Sequence, residues 1–190
     1  MELDDFSEFD AELEELEAFE AAHGAEAIKK ESRYSRAIND YISSIEELRF
    51  YQDKLDLEEA KITRPCLIRD TLDARMPNRD GIPNYEQMAK GRPPVFSYGG
   101  DDTLELHHLK REYRGPFAEL TPTQHNRPGK GIILHPKGKD EESWRSDHAK
   151  CHAFDMERAK YWMKRGETVY GQLFEPAARR SFRRKRRRPL

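Results

Sequence analysis

The chain has 190 residues, of which 37% are charged and 36% apolar, so it is about one domain long and too polar to form a single buried core throughout. No apolar run reaches the ~18 residues a membrane span needs, which excludes a transmembrane helix. The formal charge of −2 hides an asymmetry. Residues 1–60 carry 19 acidic and 6 basic side chains, a net of −13, and the remainder carry 17 acidic and 28 basic, a net of +11. The carboxyl-terminal part is therefore a cation that polyanions would attract.

The amino terminus, MELDDFSEFD, has neither the basic nor the apolar region of a secretory signal peptide. Residues 1–26 hold eleven acids and no lysine or arginine. Leu3, Phe6, Leu13, Leu16 and Phe19 recur at three- and four-residue steps or their multiples, which predicts an amphipathic helix with an acidic back. Two readings stand for it, a solvated acidic tail or an acidic strap lying on the basic half.

Residues 27–63 read as one long helix, because Tyr34, Ile38, Tyr41, Ile42, Ile45, Leu48, Tyr51 and Leu55 mark one face. Pro65 signals its end, since the residue before a proline avoids the helical region. Residues 64–87 read as a linker, part of a proline- and glycine-punctuated stretch reaching residue 100, with a short helix at about 85–90. An extended segment follows at 103–109, then a hairpin-like connection through KREYRGP into a short strand at 117–120. TPTQ is a helix opening: Thr121 can cap, Pro122 suits the first helical position, and Gln124 sits where a capping box wants Glu or Gln. A final helix is expected from about 141 to 165. The chain closes in RRSFRRKRRRPL, with eight cations in its last twelve residues.

Two cysteines, Cys66 and Cys151, stand 85 positions apart and form no CxxC, so they read as free buried thiols. His148, Cys151, His152 and Asp155 form a possible zinc cluster, because His148 and His152 share a helix face. The alternative is packing or surface, since Cys151, Phe154 and Tyr161 are spaced to face a core. Trp144 and Trp162 read as core anchors rather than base-stacking platforms.

The histidines carry the chemistry. His107 and His108 end an extended segment, His125 falls at the start of a helix, and His135 lies in ILHP. Adjacent residues of a strand point to opposite faces. A doublet therefore makes sense where one histidine binds a metal and the other acts as a base. By spacing alone, scattered surface histidines fit as well.

The run MAKGRPPVFSYGGDDTLELHHLKREYRGPFAELTPTQHN, followed by ILHP and FDMERAKYWMKRG, resembles the LHH nucleases of the HNH/endonuclease VII superfamily. The matching pieces are Gly91–Pro94, Leu106-His107-His108, GPFAELT, His125, Leu134-His135-Pro136 and the closing Phe154, Tyr161-Trp162 and Arg165. They cover about residues 88 to 165. The resemblance implies a treble-clef (ββα-metal) core, placed at 88–172. With the N-terminal helical region and the arginine-rich tail at 173–190 read from the residues themselves, the expected fold is α+β. The resemblance also implies a central set of four histidines, His107, His108, His125 and His135, and a divalent ion, whether Mg, Mn, Ni or Zn. Within that set our assignment is His108 as general base, His107 and His125 as metal ligands, and His135 as a third ligand or phosphate contact.

The implied activity is a largely nonspecific DNA endonuclease serving as an antibacterial toxin module. Such a module would be held in the producer's cytoplasm, delivered to a target cell and neutralised by an acidic immunity protein. A delivery partner could engage the N-terminal helices. Beside such a site, Arg179, Arg180, Arg183, Arg184, Lys185, Arg186, Arg187 and Arg188 read as a phosphate-binding arm without base readout. A phage or host DNA-processing nuclease, or a non-catalytic nucleic-acid-binding protein, remain the alternative readings.

Overall fold

The computed structural model describes residues 23–97, 102–126, 133–134 and 144–171. The acidic segment before residue 23, His135 and the basic tail therefore lie outside the described residues. Helical residues 23–31 (α1) are followed by α2 (Arg36–Asn39) and α3 (Ile45–Arg49), which runs on as one wide turn through Phe50–Lys54. The single long helix expected over 27–63 is thus corrected to several short ones. The serines explain the breaks, because their hydroxyls offer the backbone a non-helical partner. Ser44 is extended and its Oγ accepts from the Glu47 amide at 3.1 Å, opening α3. Asp56, left-handed at φ 48°, closes the region. The apolar face survives these breaks, since Tyr34, Ile38, Ile42, Leu48 and Tyr51 are all buried.

The stretch read as a linker contains an inner strand. β1 (Glu58–Lys61) and β2 (Pro65–Ile68) form an antiparallel hairpin, so Pro65 stands just after a strand turn rather than after a helix. β3 (Glu105–His108) and β4 (Phe117–Leu120) pair antiparallel, with His107 opposite Ala118 and His108 opposite Phe117. β2 pairs parallel with β4, giving the order β1-β2-β4-β3. Every residue of β4 is buried, as an inner strand covered on both faces requires.

Helices cover the two faces. On one side α1 to α3 pack Ile38, Leu48 and Tyr51 against Leu67, Ala118 and Leu120. On the other, α4 (Asn84–Ala89) and the long α6 (His148–Gly171) bring Met88, Phe154, Tyr161 and Trp162 against Cys66, Leu106 and Phe117. Between β4 and α6 lies α5 (Pro122–Asn126). Helix α6 begins later than the sequence suggested, at His148, after a tight turn over Trp144–Ser146. It approaches α4 closely: a Cβ on Gly166 would stand 2.9 Å from Met88 Cβ. Both cysteines are free, as expected, but only Cys66 is buried, Cys151 being half-buried.

Glu47 is buried beneath the site-bearing sheet at 1% exposure. Burial pushes its carboxyl up to about 7, against the opposing pull of the Ser43 amide, the Tyr51 hydroxyl and the charge of Lys110. Between pH 4.5, the ordinary value, and 7 the folded chain keeps a proton that the unfolded chain has released. Stability should therefore fall as pH rises through that window, by about 3 kcal/mol in full. Urea midpoints measured from pH 4 to 8 should show this fall in the wild type and not in Glu47→Gln. An equal fall in both proteins would assign it to other groups.

Candidate nuclease centre

Strand alternation sorts the LHH triplet. Glu105 and His107 face the α5 side of β3, while Leu106 and His108 face α6. Helix α5 begins with the reciprocal cap its sequence announces: the Gln124 amide donates to Thr121 Oγ1 at 3.3 Å, and the Thr121 amide donates to Gln124 Oε1 at 2.9 Å. That cap sets the short helix at an angle that carries His125 back over β3. There, His125 Nε2 lies 3.2 Å from His107 Nδ1, and His125 Nδ1 lies 2.8 Å from Glu105 Oε2. The two imidazoles meet edge to face, with centroids 4.9 Å apart.

Glu105 was not singled out from sequence. Its signal was the period of the strand, since position 105 shares a face with position 107 two residues on. The carboxylate can only accept when ionised, so in neutral His125 the proton sits on Nδ1 and the lone pair on Nε2, aimed at His107. Two imidazole nitrogens held on one ion at ~2.0–2.1 Å in tetrahedral geometry stand roughly 3.3 Å apart. The observed 3.2 Å matches that spacing, and a carboxylate behind a ligating histidine is the usual outer partner. The pair therefore fits a divalent ion. Among the described residues no three His, Cys, Asp or Glu side chains form a metal site, so further ligands would come from outside this set, His135 included, or from water and phosphate.

His108 is separated from this pair. It is 5% exposed, and its ring packs against Phe117, Trp144 and Phe154 at centroid distances of 4.9, 5.0 and 4.7 Å. Its Nε2 is buried with no hydrogen-bond partner among the described residues. Burial pushes its pKa down to about 3, helped by the nearby charges of Arg64 and Arg145, so the ring is neutral at physiological pH. β3 keeps the two rings of the doublet on opposite faces. Immediately after it, Lys110 and Arg111 both adopt left-handed backbone, at φ 51° and 57°. Two such residues in succession without glycine hold strain of the kind that gathers at functional sites.

The rival cluster on α6 does not assemble, since His148, Cys151, His152 and Asp155 form no metal group among the described residues. The Cys151 thiol instead donates to the Arg145 carbonyl at 3.2 Å. Trp162 is fully buried, as a core anchor should be, and Trp144 serves as a wall of the His108 pocket.

Residues 83–168, which carry this histidine pair, match the family model described as LHH, a nuclease of the HNH/ENDO VII superfamily with conserved LHH. This segment belongs to the LHH family. The conserved triplet of that description corresponds to Leu106, His107 and His108 here. No solved structure matches the chain. The fold is α+β, with helices around a small mixed sheet, which is consistent with a ββα-metal nuclease. The matched segment does not contain β1 and β2, yet β2 lies against β4 in the middle of the sheet. Among the described residues no helix is long and apolar enough to cross a membrane.

Proposed function

We propose that the protein is a metal-dependent, largely sequence-nonspecific DNA endonuclease that hydrolyses phosphodiester bonds. The observation that carries this reading is the Glu105–His125–His107 chain, with its 2.8 and 3.2 Å contacts, inside an LHH-family segment. His107 and His125 would hold the ion, with Glu105 orienting His125 and His135 available as a further ligand. A bound divalent ion would supply positive charge to the scissile phosphate and to the leaving oxygen. His108 is the general base of this proposal. Its neutral ring offers a lone pair that can take a proton from the attacking water as the oxygen bonds to phosphorus.

Because His108 lies on the opposite face of β3 from the pair, for it to act the strand end must twist and the Trp144 edge that covers it must part when nucleic acid binds. Exposure would also reverse the desolvation that holds its basicity down, so uncovering and activating the base are one event. The basic tail, with Arg179, Arg180, Arg183, Arg184, Lys185, Arg186, Arg187 and Arg188, would grip phosphates without reading bases. The charge split and the family resemblance support a toxin module, neutralised by an acidic immunity protein over the basic face.

Incubating the protein with supercoiled plasmid and Mg, Mn, Ni or Zn should give nicking that EDTA abolishes. His108→Ala should still bind DNA but lose cleavage by about 10²- to 10⁴-fold, the usual worth of a positioned base. Cleavage that persists in EDTA would remove the metal, and full activity in His108→Ala would move the base elsewhere. Tight binding without cleavage under any ion would favour the nucleic-acid-binding alternative.

A further inference from the structure

Arg69 follows β2 and precedes the family segment, and it is an arginine 6% exposed. Its guanidinium lies over the Phe96 ring at 4.5 Å from the centroid, and Nη2 donates to Gln124 Oε1. Gln124 immediately precedes His125, and the same oxygen accepts from the Thr121 amide that opens α5. Arg69 Nε is sealed from solvent with no hydrogen-bond partner among the described residues. A guanidinium has five N–H donors, and Gln124 engages a single nitrogen of it.

Neighbouring Arg165 shows what a satisfied buried arginine looks like in this fold. Its Nε donates to Glu119 Oε1 at 2.9 Å, its Nη1 to Thr168 Oγ1 at 3.0 Å and its Nη2 to the Arg69 carbonyl at 2.7 Å. Glu119 is the acid whose charge reaches Arg69, but both its oxygens are taken. Tyr161 donates to Oε1 at 2.9 Å, and the Arg69 backbone amide donates to Oε2 at 2.8 Å. Arg69 thus keeps a desolvated cation with unfilled donors beside the helix that carries His125. Burying such a charge is costly unless it gains a partner. An anion with several oxygens would complete it, and a phosphodiester matches the fork of a guanidinium.

We infer that Arg69 is a phosphate-binding residue of this centre, receiving the non-bridging oxygens of a nucleic-acid phosphate beside His125. As a nuclease role this rests on the function proposed above. The anion site itself stands on the arginine's surroundings. Arg69 would steady the phosphate by charge and by paired N–H donors, while the histidine pair serves the reacting centre.

The test compares wild type, Arg69→Lys, Arg69→Met and His107→Ala in thermal unfolding with inorganic phosphate against chloride at equal ionic strength. The same proteins are then assayed for plasmid cleavage. Phosphate should raise the Tm of wild type and His107→Ala, raise that of Arg69→Lys less, and lose its Arg69-dependent share in Arg69→Met. Cleavage by either Arg69 variant should fall about 10- to 100-fold in kcat/KM, with the lysine variant the milder. If Arg69→Met does not fold, the comparison rests on Arg69→Lys, whose point charge cannot form the bidentate contact. Equal phosphate stabilisation in wild type and both Arg69 variants would overturn the inference, as would none in the wild type beyond chloride. An Arg69-dependent phosphate effect in a protein that cleaves nothing would uphold the anion site and sink the nuclease reading. Unchanged cleavage in both Arg69 variants would leave the nuclease reading standing and overturn Arg69's part in it.

Discussion

His125→Ala should lower metal-dependent plasmid cleavage by about 10²- to 10³-fold, the scale of removing one preorganised group that stabilises developing charge. His125 has this weight because it joins both ends of the site. Its Nε2 lies 3.2 Å from His107 Nδ1, and its Nδ1 meets Glu105 Oε2 at 2.8 Å. In the proposed site, removing the ring would delete a metal ligand and strand its carboxylate in one step. Glu105→Gln should be milder and different in kind. The amide keeps the shape but not the charge that sets the tautomer, so ion affinity should fall by about 10- to 100-fold. A rate titration against Mg or Mn separates the two. Glu105→Gln should recover at higher ion concentration, whereas His125→Ala should stay slow. Equal, wild-type ion dependence in Glu105→Gln would reduce its contact with His125 to packing.

Arg165→Met should destabilise the fold by about 3–5 kcal/mol, because it leaves the fully buried Glu119 as an unpaired charge. This pair ties three parts of the molecule together. Glu119 belongs to β4, Arg165 and Tyr161 to α6, and the Arg69 backbone joins through one amide and one carbonyl. Replacing both charges, as in Glu119→Met with Arg165→Met, should recover part of the loss, since the desolvation cost disappears with the second ion. Urea midpoints for the two single variants and the double variant give the coupling directly. A loss below about 1 kcal/mol in Arg165→Met would overturn this account of the pair.

The local signals along the chain were reliable where a short segment decides its own state. Strand β4 falls at 117–120 as its residues suggested, and the Thr121–Gln124 box opens α5 by the two hydrogen bonds its spacing predicts. The 27–63 region failed because its apolar period is helical while its serines are caps, and the two signals conflict. β1 and β2 were missed for a different reason. EEAKITRPCLI has no alternation to read, because β2 is buried on both faces and gains its partner from β4, some 50 residues away.

The sequence by itself determined the opposite facing of His107 and His108 and the family that the segment matches. Each follows from the two-residue period of a strand or from an ordered set of short motifs. Only the tertiary structure decided that Glu105 stands behind His125, that His108 is sealed in an aromatic pocket, and that Arg69 reaches the helix bearing His125. Those contacts span from 9 to 55 positions along the chain (Glu105–His125, His108–Phe117 and Arg69–Gln124 among them). They depend on β2 pairing with β4 and on α5 folding back over β3, which no local propensity encodes.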